Sequence, residues 1–222
     1  MDNFLINTVK DILKVRKDNV DFMSIFLKMR DASLQKVSAQ VYSFFEASLV
    51  TTSTTISTCL YELAMNDHVQ QRLRLEILEF YNDVQGDLSY SNIKHCKYLD
   101  QVMFENLRKY PIANQLSRVC ENNYRVEKWN LTIEKGVLVI IPISAIHMDP
   151  EIYPNPEIFN PDRFTSEEID KRHSMSFSPF GDGGRSCIGK EFGNPKTDIP
   201  LKLDQTQITL PLGQIFLKVE KL

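Results

Sequence analysis

The chain has 222 residues, enough to bury a core, and its 42% hydrophobic and 25% charged content is ordinary globular usage that excludes disorder and fibrous repeats. Twenty-six Lys and Arg against 29 Asp and Glu give a net charge of −3 with no basic block at either end, which argues against nucleic acid as a partner. Four scattered cysteines, Cys59, Cys96, Cys120 and Cys187, include no pair with the two-residue gap of a zinc knuckle or redox motif, so they read as reduced thiols.

In chain order, Ile6, Val9, Ile12 and Leu13 space a first amphipathic helix, and Phe22, Ile25, Phe26 and Met29 a second. Lys36 to Met65 predicts one long helix, apolar nearly all round through Val41, Tyr42, Phe44, Phe45 and Leu49, a pattern that suits burial in the middle of a protein. Its Ser/Thr run, residues 51–58, lowers helix propensity and favours local bending. Asn66 and Asp67 are placed to cap a further helix with Val69, Leu73, Ile77 and Phe80 on one face. A polar turn at Gly86 leads to a helix near Tyr98 to Lys109, stopped by Pro111.

Beyond Pro111 the pattern changes. Leu131 to Ile141 predicts a hairpin turning at Glu134 to Gly136. Four of the ten prolines fall between Pro150 and Pro161, which forbids a long helix or a central strand there. Five of the eight glycines fall between Gly181 and Gly193, and the alternation of Ile215, Leu217 and Val219 after Pro211–Gly213 predicts a closing hairpin. The expected fold is mainly α with small β-hairpins, in one domain spanning 1–222. The longest apolar stretch, Val137 to Ile141, is far below the roughly 20 residues that cross a bilayer. With charges from Asp2 onward there is no signal-peptide pattern either, so the chain as written is expected to be cytosolic or peripheral.

The chemistry concentrates in Phe177 to Gly193, where a cysteine stands among glycines that let the backbone fold closely round it. Arg185 two residues away, free amides and a helix beginning just after Cys187 are conditions that lower a thiol pKa. A thiolate so held is a nucleophile or a metal ligand, while a buried small residue in a tight turn is the plain alternative. Gly184 to Lys190 fits a phosphate loop as far as Gly-Lys, but Glu191 stands where Ser or Thr would hold magnesium and Pro179 interrupts the preceding strand. A cysteine hydrolase needs a partnered histidine, and His68, His95, His147 and His173 carry no local signature.

The loop resembles the haem-binding signature of the cytochrome P-450 monooxygenases, Phe-x-x-Gly-x-Arg-x-Cys-x-Gly, filled by Phe180, Gly183, Arg185, Cys187 and Gly189. Glu105-Asn-Leu-Arg108 is similar to the family's Glu-x-x-Arg pair, and Pro161-Asp-Arg163-Phe164 to the segment whose arginine locks with it. The likeness is closest to insect-type microsomal members. It implies the C-terminal part of the cytochrome P-450 fold, with residues 36–65 as the central oxygen-side helix, 99–109 as the Glu-x-x-Arg helix, 177–193 as the haem-ligand loop and 198–222 as closing strands. Cys187 is then the axial thiolate of haem b, Arg185 and Arg118 meet haem propionates, and Phe180 packs beneath the macrocycle. Thr51 is the oxygen-side hydroxyl, although Ser48 and Val50 stand where the family has glycine and an acid.

The implied activity is insertion of one oxygen atom from O2 into a lipophilic substrate. The implied electron donor is NADPH-cytochrome reductase, and the implied location is the endoplasmic reticulum membrane. The resemblance covers less than half of a family member and resumes at Asp198 after a break at Asn194-Pro195, so an internal deletion after the cysteine loop is expected. A truncated, impaired monooxygenase is the leading reading, with a non-catalytic haem binder or a non-functional fragment as the alternative.

Overall fold

The computed structural model describes residues 3–15, 22–28, 33–87, 89–93, 95–190, 208–210 and 215–217. Met29, Glu191 to Gly193, the Asn194-Pro195 break, the start of the closing segment at Asp198 and the Pro211–Gly213 turn lie outside them. The chain divides into two compact units, Met1–Ser53 and Thr54–Leu222.

The first unit holds α1 (Asn3–Val15), α2 (Phe22–Leu27) and the opening of α3 (Leu34–Met65). Val9 on α1 and Val37 and Ser38 on α3 are buried, and Phe22 packs on Phe44 with ring centroids 4.3 Å apart. The expectation of an all-round buried α3 is not met: Phe45, Leu49 and Val50 are more than half exposed. Burial along α3 is confined to its first turns and to Thr55, Thr58, Cys59 and Glu62, so the middle turns keep large apolar groups in solvent. The Ser/Thr run is helical throughout, and its hydroxyls bond back to carbonyls one turn earlier, Thr51 to Ala47 at 2.6 Å and Thr58 to Thr54 at 3.1 Å.

In the second unit α4 (Asp67–Asp83), the short α5 (Tyr90–Ile93) and α6 (Lys97–Lys109) follow. Val69 and Leu73 of α4 meet Tyr98, Val102 and Met103 of α6, with Cys59 and Phe159 completing the cluster. Asn66 occupies the N-cap position of α4 but does not cap it. Its amide donates instead to the Glu62 carbonyl at 2.8 Å and carboxylate at 3.1 Å, a buried partner that outcompetes the helix end. α6 begins at Cys96, which also offers no side-chain cap; the Glu76 carboxylate of α4 takes the Tyr98 and Leu99 amides at 2.8 and 2.9 Å. After α4 the chain reverses at Gly86 (φ +83°), whose amide donates to the Tyr81 carbonyl at 2.9 Å.

The predicted Leu131–Ile141 hairpin is not formed, although the turn within it is: Val137 N–H donates to Glu134 O at 3.2 Å. The two strands it joins part company. β3 (Leu131–Ile133) pairs antiparallel with β2 (Tyr124–Val126), and β4 (Leu138–Ile141) with β1 (Leu116–Val119). The reason is a second turn that the strand pattern hides, a single 3₁₀ turn at Glu127–Trp129 ended by Asn130 in the left-handed region (φ +47°), which folds β3 onto β2. The Cys120 N–H then donates to Val137 O and its carbonyl accepts from Gly136 N–H, docking β4 on β1. β5 (Ile208–Leu210) and β6 (Ile215–Leu217) form the antiparallel closing hairpin. Between the sheets and the loop run α7 (Ile143–His147), the proline-rich turns, a 3₁₀ turn at Pro161–Phe164 and α8 (Ser166–Asp170), the last capped by the Thr165 hydroxyl on Glu168 N–H.

Candidate functional site

The glycine-rich loop is closed by its own backbone. Cys187 N–H donates to Phe180 O at 2.9 Å, Ser186 N–H to Gly183 O at 3.0 Å and Gly181 N–H to Ser178 O at 3.2 Å. Gly181 (φ +68°) and Gly183 (φ +73°) hold left-handed conformations that other residues adopt at a cost, which is why the loop needs glycine at these two places. Cys187 is exposed at the end of this turn, with Arg185 exposed two residues before it. The Cys187 amide is spent on Phe180, so it is not among the free amides expected around the sulfur.

Phe180 is half-buried and lines a pocket of about 330 Å³ together with Phe104, Phe164, Phe177 and Arg172. Cys59 is the contrasting thiol. Burial, and then the Glu62 charge, push it up to about 12, so it stays neutral. Arg118 lies on β1 opposite Val139, exposed, its guanidinium donating to the Ser117 carbonyl at 2.8 Å. Thr51 lies on α3 in the first unit. The structure thus gathers Phe180, Arg185 and Cys187 in one loop, while Thr51 and Arg118 belong to other elements.

The loop is approached through a buried ionic lock. Arg108 and Glu105, both wholly inaccessible to solvent, pair through two parallel bonds, Nε to Oε2 at 2.7 Å and Nη2 to Oε1 at 2.8 Å. One helical turn separates them, so the same α6 face carries both. The other Arg108 protons go to the carbonyls of His147 at 2.9 Å and Pro156 at 2.7 Å and to the Met148 sulfur at 3.5 Å. Arg163 Nε lies 3.4 Å from Glu105 Oε1, and the Asn160 amide donates to the same oxygen at 2.9 Å. Glu-x-x-Arg on a helix and Arg163, two residues past Pro161, therefore meet as the motif reading expects.

Two further groups carry no signal in sequence. Glu62 is buried on α3 and accepts from Lys109 Nζ at 2.7 Å and from the Tyr110 hydroxyl. That tyrosine is held well above its ordinary range by burial first and the adjacent carboxylate second. His147 is wholly buried at the end of α7, and burial outweighs the favourable main chain nearby to push its imidazole down to about 4.

A family model of cytochrome P450 matches residues 2–201. Among similar proteins, a probable cytochrome P450 6a13 of Drosophila melanogaster is 41% identical over 211 residues, covering 90% of this chain and 43% of that protein. A probable cytochrome P450 6a14 of the same fly is 36% identical over 263 residues, covering 100% and 52%. Cytochrome P450 6A1 of Musca domestica is 34% identical over 255 residues, covering 98% and 50%. The chain belongs to the cytochrome P450 family of haem-thiolate monooxygenases and is of the insect type. It spans about half the length of the curated relatives it matches. The 263-residue match is made with only 222 residues, so about 40 positions inside it have no counterpart in this chain.

Proposed function

We propose that this chain carries the haem-ligand half of a cytochrome P450 monooxygenase, as part of one domain over 1–222, with Cys187 as the axial thiolate. The carrying observation is the exposed thiol at the end of a glycine loop that its own amide closes on Phe180 O at 2.9 Å. The donor set fits the group. A porphyrin brings four nitrogens of its own and asks the protein for one soft axial ligand. Among the described residues no cluster of three His, Cys, Asp or Glu offers a competing metal site. Beside the loop, Gly183 and Gly184 are exposed and added Cβ atoms there would meet nothing within 4 Å, so no protein atom covers this side of the loop.

In this reading Cys187 would hold the metal, Arg185 and Arg118 would bind the propionate carboxylates as charge-assisted donors, and Phe180 would pack against the ring. Haem b, when bound, supplies O2 activation for insertion of one oxygen atom into a lipophilic substrate, with electrons from NADPH-cytochrome reductase at the endoplasmic reticulum membrane. Thr51 presents a hydroxyl for proton delivery, which requires it to leave the Ala47 carbonyl it now donates to at 2.6 Å.

Val50, exposed where the family's acid stands, removes the relay partner, and general acid help of that kind contributes typically a hundredfold or more. That substitution, with an internal gap that we place after the cysteine loop, favours an impaired enzyme and supports the second reading, a haem binder without turnover. The reduced, carbon-monoxide difference spectrum of the haem-supplied chain tests both. A red-shifted thiolate-type Soret band that disappears in Cys187→Ala is expected, whereas a band insensitive to Cys187→Ala, or none, would sink the assignment. Given the band, turnover restored by Val50→Asp separates an impaired enzyme from a pure binder.

A further inference from the structure

We propose that His147 is a positioning residue for the cysteine loop, accepting the Ser178 backbone N–H on Nε2 and so tying the loop's first turn to the Glu105–Arg108 lock. The inference rests on the haem-loop reading for its meaning and on a chain of contacts for its existence. Arg108 Nη1 donates to the His147 carbonyl at 2.9 Å, fixing the end of α7. The imidazole of the same residue takes Ser178 N–H at 3.3 Å and stacks on Phe177, ring centroids 5.3 Å apart. Phe177 is held in turn by Phe164 at 4.7 Å and Phe104 at 5.6 Å. The Ser178 carbonyl then receives Gly181 N–H at 3.2 Å, and Phe180 O receives Cys187 N–H at 2.9 Å. Ser178 is therefore the hinge between the anchored segment and the turn that presents the thiol.

An imidazole accepts on Nε2 only as the neutral ring with its proton on Nδ1; protonated, both nitrogens donate and Ser178 N–H loses its acceptor. The environment selects that form. His147 is wholly buried, and the charged groups that face it are the Arg108 guanidinium and, through that, the Glu105 carboxylate and Arg163, so a further cation is disfavoured. Nδ1 is buried with no hydrogen-bond partner, and the main chain of Arg108 and Leu107 favours a proton on the imidazole, an effect that burial outweighs.

The test is hydrogen exchange resolved at single amides on the full chain, for wild type, His147→Leu and His147→Gln, the last returning an acceptor at about the Nε2 position. Ser178 is expected to be protected in wild type, about tenfold or more less protected in His147→Leu, and protected again in His147→Gln, with the Val102 and Met103 amides of α6 alike in all three. A Ser178 amide that exchanges freely in wild type, or equally in wild type and His147→Leu, overturns the proposal. If His147→Leu does not fold, the ring nitrogen shifts of wild type decide: an unprotonated Nε2 at pH 7 supports the contact and a protonated one overturns it. After haem is supplied, His147→Leu should lose thiolate-type band to the thiol type while His147→Gln keeps it. Wild type that protects Ser178 yet takes up no haem overturns the haem reading and leaves the contact standing.

Discussion

Arg108 has no solvent to fall back on. Its five donors are distributed among Glu105, His147, Pro156 and the Met148 sulfur, and its charge is balanced by a carboxylate that is equally buried. Removing one member of such a pair leaves the other charged and unpaired in a low dielectric, so Arg108→Leu should cost roughly 3–5 kcal/mol in urea unfolding. Arg108→Lys should also destabilise strongly, because an ammonium cannot reproduce the two parallel bonds to Glu105. A shift below about 1 kcal/mol for Arg108→Leu would mean that Glu105 finds water or another partner.

His147 makes a different claim at the same scale. Its folded pKa of about 4 lies below the unfolded 6.5, so the unfolded chain binds the proton more readily. Its contribution is complete above pH 6.5, fades as pH falls through that window and is gone below about 4, with a ceiling near ~3 kcal/mol. Urea midpoints from pH 8 to 4 should fall for wild type more steeply than for His147→Gln, which has nothing to protonate there.

At the scale of elements, what could be read ahead depended on how local the cause is. The helices were legible because a 3.6-residue apolar spacing is a property of the segment itself: Val69 and Leu73 of α4 are buried as their spacing requires. The cap of α6 was not legible, because its carboxylate, Glu76, is 21 residues before Lys97 and sits on another helix. The strand pairing failed for a related reason, since the Glu134–Gly136 turn is real but Asn130 and Cys120 assign each strand a different partner.

In the site, Glu105, Arg108 and Arg163 were legible through their motif order. Glu62 and His147 were not, since a single glutamate on a helix and a lone histidine look like solvated residues until the fold buries them. Glu76→Ala removes two charge-assisted bonds to the start of α6 and should cost about 1–3 kcal/mol, with Glu76→Gln recovering part of it. Circular dichroism should show the helix content of α4 kept and thermal unfolding shifted down. Equal melting of Glu76→Ala and wild type would assign the cap to solvent.

For the whole molecule the decisive quantity is apolar surface left in water. On the β1–β4 ribbon, Val119 and Leu138 are directly opposite and Ile140 is two residues along, so all three project from one face of the pair. They are 60%, 56% and 50% exposed, and Tyr124, Trp129 and Leu131 on the neighbouring β2–β3 ribbon are exposed as well. Two-stranded ribbons of this kind also leave unpaired edges, which with an apolar face is the usual route to association. Among the described residues no helix is long and apolar enough to cross a membrane. Exposed apolar groups lie on the ribbons and on α3.

The expected behaviour in dilute buffer is therefore concentration-dependent self-association with strong binding of an apolar dye, both reduced by mild detergent. Light scattering behind a sizing column on wild type and on Val119→Lys with Ile140→Thr checks the cause. The double variant should shift toward monomer, because lysine on the exposed face opposes stacking without entering a buried site. A wild-type chain that is monomeric at tens of micromolar, or a double variant that associates as before, would place the cohesive surface elsewhere, with the exposed middle turns of α3 next in line.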